Sequence, residues 1–402
     1  MHGGKTKGRK RLSESRLLFI TQDFPPQFGG INSYSTELCL RFVKQFDKLT
    51  VVTPHQKGCE RVDDALPYEV VRIKCQSAWL GWKMKRDVAW LLETVNPDII
   101  FHTQWTTLAA SKKARKLGYM GRIVCAAHAR ELFREPGVPQ PLLGWFRRVR
   151  AEYLRLPDLW LPVSRYTDGI LDQYRVPAEL RQIMPNGADP SHFRPSEDAE
   201  NRMQTRKRYG LSHNDFVLIT TTRIVPRKGI DTTIDALKQL YPKYPQLRYV
   251  VVGKGESREE LERHSRDAGL GDVVQFAGTV PFDELPELYS ACDLFVMVPK
   301  TILPDVEGFG IVYLEAGACG LAVIGSNSGG VPDAVEDGHT GLIVPEQDPA
   351  ALAAAIERMI TAPETRIALG KNGRRRVTEK LNWDTTAFQI LELLKQADET
   401  IF

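Results

Sequence analysis

No stretch of the 402-residue chain stays apolar for the ~18–20 residues that a membrane-crossing helix requires, which excludes an integral helical membrane protein. The six cysteines, Cys39, Cys59, Cys75, Cys125, Cys292 and Cys319, show no Cys-x-x-Cys spacing. That argues against a disulfide framework or a zinc site and for reduced thiols in a cytoplasmic compartment. Met1 to Arg16 is basic and polar with no apolar centre, so it does not read as a secretory signal, and residues 1–15 are expected to form a disordered tail. No Asp-x-Asp pair stands in a loop suited to holding a metal, no repeat of solenoid period is present, and no tract is of low complexity.

What is present has the balance of a soluble globular protein long enough for two domains, each with its own core. Charge is unevenly placed. Residues 1–190 carry 30 Lys and Arg against 19 Asp and Glu, and the remainder carries 24 against 31. A basic first half and an acidic second half suggest that each handles a different partner, the first an anionic surface or acceptor.

Short apolar, β-branched runs alternate with helix-compatible stretches from Arg16 onward: 16–21, 49–54, 68–73, 98–102, 122–128 and 159–164. Such alternation predicts a parallel, doubly wound sheet. After an Asn186-Gly187 turn and a proline-rich, charged linker, the alternation restarts with 216–221, 249–252, 273–280, 293–298 and 321–325. The expected division is therefore 16–195 and 205–383, with a last helix from about 384 to 402 crossing back to the first domain.

The chain is organised around Glu307-Gly308-Phe309-Gly310-Ile311-Val312-Tyr313-Leu314-Glu315. A buried strand precedes it, and a helix is expected to begin near Ile311, with Glu315 about one turn inside. Glycines ahead of a helix start let backbone N–H groups approach a ligand. A carboxylate is a poor phosphate ligand but a good acceptor from vicinal sugar hydroxyls. Gly29-Gly30, after the first strand, offers amides suited to phosphate. Arg223 and Lys228, between a strand end and a helix start, are placed to neutralise a diphosphate. Gly253-Lys254-Gly255 forms another strand-end turn, and the backbone near Thr279 and Val280 is placed to touch a nucleobase. His102 and His128 both fall at strand C-terminal ends, where side chains in such sheets meet ligands. A structural hydrogen-bonding role competes with a ligand-contacting one for each. Two segments, Trp79–Arg86 and Leu142–Arg150, mix aromatics with cations and read either as membrane-interfacial helices or as core helices with a solvated basic face.

Together these motifs resemble the retaining glycosyltransferases of family 4, with the GT-B architecture of two Rossmann-like domains across a cleft. Arg-x-Val-Pro-Arg-Lys-Gly and the Glu307 segment are similar to those of bacterial phosphatidylinositol-mannoside mannosyltransferases. The resemblance implies transfer of a hexose from a nucleotide-diphosphate sugar, GDP-mannose first and a UDP-sugar second, to a lipid-linked or glycan acceptor. It implies that Glu315 holds the ribose hydroxyls, and that Arg223, Lys228 and the Gly30 N–H hold the diphosphate. Glu307 with the backbone of Gly308, Phe309 and Gly310 would hold the hexose hydroxyls, Ile311 would join the donor-binding residues, and His128 would lie against the transferred sugar. No metal, other cofactor or nucleic acid is expected. The implied location is cytoplasmic, with peripheral contact at the anionic inner face of the plasma membrane. A nucleotide-sugar 2-epimerase of the same architecture, or a soluble small-molecule acceptor, is the alternative.

Overall fold

The computed structural model describes residues 11–27, 29–133, 143–196 and 198–396. Most of the tail expected over 1–15, and part of the aromatic segment at 142–150, lie outside the described residues. The described residues up to Met184, with the helix Trp383–Gln396, form one compact unit, and Pro185–Asn382 form another.

In the first unit six strands pair in parallel: β1 (Arg16–Ile20), β2 (Lys48–Pro54), β3 (Glu69–Ile73), β4 (Ile99–His102), β5 (Arg122–Ala127) and β6 (Leu159–Pro162). Their order across the sheet is β3-β2-β1-β4-β5-β6. The second unit contains β7 (Phe216–Thr221), β8 (Leu247–Val252), β9 (Val274–Gly278), β10 (Leu294–Val296), β11 (Val323–Ser326) and β12 (Gly341–Val344), in the order β12-β11-β10-β7-β8-β9. Counted from its own first strand, the second sheet repeats the order of the first. Helices cover both faces of such sheets, so the central strands are apolar throughout rather than alternating. Leu17 to Ile20 and Leu294 to Val296 are fully buried accordingly. β12 was not foreseen, because a four-residue strand ahead of Pro345 carries too short a pattern to stand out.

The division between units falls earlier than the expected 195–205. Residues after Met184 are knit into the second unit. The Ala188 N–H donates to the Leu381 carbonyl at 3.0 Å, and the Arg374 guanidinium donates to the carbonyls of Pro190 and Phe193 at 2.9 and 2.7 Å. The terminal helix Trp383–Gln396 belongs to the first unit. Arg122 donates to the Leu393 carbonyl at 2.9 Å, and Arg41 pairs with Asp384 at 2.6 Å. Below the second sheet, Asp293 gathers the entry to β7 and β10. Its carboxylate takes Arg202 at 2.9 Å, Arg206 at 2.7 Å and the Val217 N–H at 2.8 Å.

In each sheet the strand order reverses where the first strand meets the fourth, at β1/β4 and β7/β10. Loops leaving the carboxyl ends of those strands diverge and leave a crevice, which is where open parallel sheets bind ligands.

Candidate functional site

In the second unit both loops at the reversal point carry charge. β7 runs into the turn Pro226–Lys228, and β10 runs through Met297 to Glu307. The loops touch at Gly229, whose φ is 67°, and a Cβ there would stand 1.9 Å from the Val298 carbonyl oxygen. No other residue type fits that approach. It places two consecutive cations beside the acidic loop. The Arg227 guanidinium lies 2.6 Å from Glu307 Oε2 and 3.0 Å from Asp305 Oδ1, and the Lys228 ammonium donates to the same Glu307 oxygen. All three of Arg227, Lys228 and Glu307 are buried. Burial alone would push the Glu307 carboxyl up, but the Lys228 and Arg227 charges outweigh it and hold the group down at about 2. Glu307 is therefore ionised throughout the neutral range. The bonds to Lys228 and Arg227 converge on Oε2, leaving Oε1 as the carboxylate's second acceptor.

The small-residue loop after β11 braces the backbone of Glu307. The Gly330 N–H donates to the Glu307 carbonyl at 2.9 Å, and a Cβ on Gly329 would meet the same oxygen at 2.2 Å. Glu307 was expected to present its side chain to sugar hydroxyls alone, and Arg227 and Asp305 were given no role. The structure adds Arg227 and Asp305 to the cluster and pairs Lys228 with Glu307. A second cation directly before Lys228 and a second acid two residues before Glu307 were the available signals.

The helix carrying Glu315 starts at Ile311, with Gly310 in the left-handed region as its cap residue (φ 94°). Glu315 lies on its second turn, half-buried, with the Tyr289 hydroxyl 3.4 Å from Oε2. Burial pushes its carboxyl up to about 7. Arg223 is exposed just beyond β7, close enough for its charge to bear on Lys228. Gly253 and Lys254 fold against this loop. The Ile224 N–H donates to the Lys254 carbonyl at 3.0 Å, and the Gly253 N–H to the Gly278 carbonyl at 2.7 Å. Lys254 itself is exposed, and Val280 lies two residues past the end of β9. Gly308 and Phe309 link the Glu307 cluster to the helix cap, with Phe309 buried.

In the first unit the two histidines separate. His102 is fully buried between the Thr107 and Ser111 hydroxyls, 2.7 Å from each, and burial lowers it to about 3. It is a neutral structural side chain. His128 stands at the end of β5 ahead of Ala129, whose φ of 87° is uncommon for a residue with a Cβ. Its backbone N–H donates to Glu131 Oε1 at 2.6 Å, and the Tyr34 ring meets its imidazole edge-on at 4.9 Å. Tyr34 belongs to the helix Gly30–Phe42, so the helix opened by Gly29-Gly30 packs directly on His128. Burial lowers His128 to about 4 and raises Glu131 to about 7. Gly29 and Gly30 are exposed, and the first amides of that helix carry no intrahelical partner.

Two six-stranded parallel sheets of Rossmann order make up the GT-B fold. The chain belongs to the family 4 glycosyltransferases: residues 28–192 match the model described as Glycosyltransferase Family 4, and 201–376 match Glycosyl transferases group 1. It is a hexosyltransferase. The chain is 33% identical over 394 residues to the GDP-mannose-dependent alpha-(1-6)-phosphatidylinositol monomannoside mannosyltransferase of Mycobacterium tuberculosis, covering 96% of this chain and 99% of that one. The enzyme of the same description from Mycolicibacterium smegmatis is 34% identical, with 94% and 98% covered. The fold matches Anabaena HepE, solved with UDP and glucose, at a TM-score of 0.77 and 23% identity, covering 95% of this chain and 99% of that one.

The Glu307 cluster has a pH signature. A carboxyl held below its ordinary ~4.3 adds stability that is fully present above that value and is lost as pH falls toward about 2. Urea unfolding measured between pH 7 and pH 2 is expected to show this loss in the parent chain. Glu307→Gln should flatten it while costing about 3–5 kcal/mol at pH 7, since two buried cations lose their counter-charge.

Proposed function

We propose that the chain is a retaining mannosyltransferase that moves mannose from GDP-mannose to a hydroxyl of a phosphatidylinositol-mannoside type lipid. The whole-length likeness to enzymes described in those terms supports the donor and the acceptor. The observation that carries the chemistry is the buried carboxylate held by two cations where β7 meets β10.

In this reading Lys228 and Arg223 take the diphosphate, a group to which the Gly30 amide is also suited. Glu307 Oε1 and the backbone of Gly308, Phe309 and Gly310 take mannose hydroxyls, and His128, neutral, lies against the transferred sugar. Glu315 accepts from the ribose hydroxyls, and backbone groups near Val280 read the base. The bond from the anomeric carbon to phosphate breaks with both electrons leaving on the diphosphate. Positive charge develops on the sugar, and the cations stabilise the anion that forms. The acceptor hydroxyl attacks from the face the diphosphate vacates and gives its proton to a freed phosphate oxygen, so configuration is retained. No metal ion is assigned a part in this step.

The acceptor is expected to be met at a membrane surface. Among the described residues no helix is long and apolar enough to cross a bilayer. The helix Leu80–Val95 instead presents Trp79, Trp82 and Trp90, exposed by 58, 61 and 50%, beside Lys83, Lys85 and Arg86. Positions 79, 82, 86 and 90 share one helical face. Indole rings seat at the headgroup level while cations meet anionic lipid.

Three measurements test this reading. Lys228→Ala should lower kcat by about 10²–10³-fold, as loss of one charge-stabilising group does, and near-parental turnover would remove the diphosphate role. Affinity for GDP-mannose should fall as pH drops through about 7, where Glu315 takes up a proton. Glu315→Gln should bind weakly at every pH, without that slope. The chain should sediment with phosphatidylserine vesicles at low salt and leave them at high salt. Replacing Trp79, Trp82 and Trp90 with serine should abolish sedimentation, and no sedimentation by the parent chain would end the membrane proposal.

A further inference from the structure

The first unit contains a second group of chemically committed side chains with no part in sugar transfer. His55 follows β2, and Cys59 and Glu60 open the short helix Cys59–Asp63. One donor atom from each, an imidazole nitrogen, a thiol sulfur and a carboxylate oxygen, lies within 4.8 Å of the other two. Among the described residues it is the one group of three such side chains gathered this closely. Cys59 is 1% exposed, whereas His55 and Glu60 reach solvent.

We infer that His55, Cys59 and Glu60 form a site for one divalent cation of the zinc class. The donor set carries the choice of metal. Zinc, a borderline-soft ion, accepts imidazole, thiolate and carboxylate together, whereas magnesium and calcium demand oxygen throughout. Zinc–ligand bonds of about 2.0–2.3 Å place tetrahedral ligands ~3.3–3.8 Å from one another. His55 Nε2 and Glu60 Oε1 already stand 3.5 Å apart. The remaining adjustment is within the reach of side-chain rotation.

The backbone holds the three residues in this arrangement. The His55 N–H donates to the Ile73 carbonyl of β3 at 2.8 Å, fixing the residue as an extension of the sheet. Gly58, in the left-handed region (φ 81°), turns the chain so that the Cys59 N–H reaches back to the Gln56 carbonyl at 3.2 Å. The helix is pinned from its other end by Arg72, which binds Asp63 through two nitrogens at 2.9 and 2.7 Å and also donates to the Pro25 carbonyl at 2.7 Å. Arg72 is thereby committed elsewhere.

On binding, the Cys59 thiol gives its proton to solvent and the imidazole binds neutral. Thiolate and carboxylate then offset the dication, and a water completes four-coordination. A site built on a single cysteine escapes any search for paired cysteines, which is why the spacing of the six argued against zinc. Through Arg72 and Pro25 the occupied site braces the segment between β1 and Gly29. Its expected effect is therefore on the stability of that corner rather than on chemistry.

The test uses the full chain, stripped of metal and kept reduced, titrated with Zn²⁺ by calorimetry and with Co²⁺ by absorption. One equivalent of zinc should bind and raise Tm, and cobalt should give a thiolate-to-metal charge-transfer band. Cys59→Ser should lose the band and weaken zinc binding by more than about 100-fold, beyond what loss of a supporting contact produces. Cys75→Ser should keep both. Absence of one-equivalent binding by the parent chain, or a band that persists in Cys59→Ser, overturns the site. Should Cys59→Ser not fold, His55→Ala and Glu60→Gln alter exposed side chains and decide the matter, since unchanged zinc affinity in both rejects it. None of these readouts depends on sugar transfer, so failure of the zinc site and failure of the transferase reading are told apart.

Discussion

The second unit depends on one carboxylate that two cations share. Leaving Glu307 buried and unpaired would cost several kcal/mol, and so would burying Lys228 or Arg227 alone. Brought together they tie the loop after β7 to the loop after β10, across roughly eighty residues of sequence. The contact of Gly229 with the Val298 carbonyl makes the approach sterically possible, and the charges make it favourable. The double pairing matters for chemistry as well as stability. Should Lys228 turn toward a developing phosphate charge, Arg227, which also pairs with Asp305 at 3.0 Å, still holds Glu307. In the proposed reaction the carboxylate then keeps a partner, and its second oxygen keeps its acceptor character.

The first unit has the same strand order with different side chains at its strand ends. His102 and His128 occupy comparable strand ends, and the sheet alone does not distinguish them. Neighbours do. Two hydroxyls saturate both ring nitrogens of His102, leaving it nothing to offer a ligand. His128 is held through its backbone by Glu131 and through its ring edge by Tyr34, while the buried Nε2 has no hydrogen-bond partner among the described residues. A buried polar atom without a protein partner is costly unless something else satisfies it. The unusual backbone of Ala129 belongs to the same corner.

The sheets were legible because buried parallel strands are written as short apolar runs, and because glycine turns recur where they end. β12 escaped because Gly341–Val344 is too short for a pattern to form. The unit boundary was misplaced because composition marks a linker by its prolines and charges, whereas contacts decide membership. Arg374 reaches back to Pro190 and Phe193 from almost two hundred residues away, and nothing in a local window reports that. Lys228 and Glu307 both stand out in the sequence as candidates, yet their mutual pairing does not. Pairing is a tertiary fact, and the neighbouring Arg227 and Asp305 read as ordinary surface charge until the loops are brought together.

Glu307 and Glu315 show why residue type alone does not assign a role. They stand eight positions apart, one buried and the other half-buried, yet one is held at about 2 and the other at about 7. The difference is local charge. Glu307 faces two cations, which overcome desolvation, whereas the Glu315 carboxyl has the Tyr289 hydroxyl, a neutral partner that offsets little of it. Where two carboxyls of one site are driven apart in this way, the environments sort them into a permanently charged group and one that titrates. The permanently charged member suits the part of a ligand where charge develops. In the proposed reading the titrating member meets neutral hydroxyls, where its protonation weakens a contact without leaving a charge unpaired. Reversing the assignment would set a group that protonates near neutrality against the reacting centre, where a fixed charge is worth most.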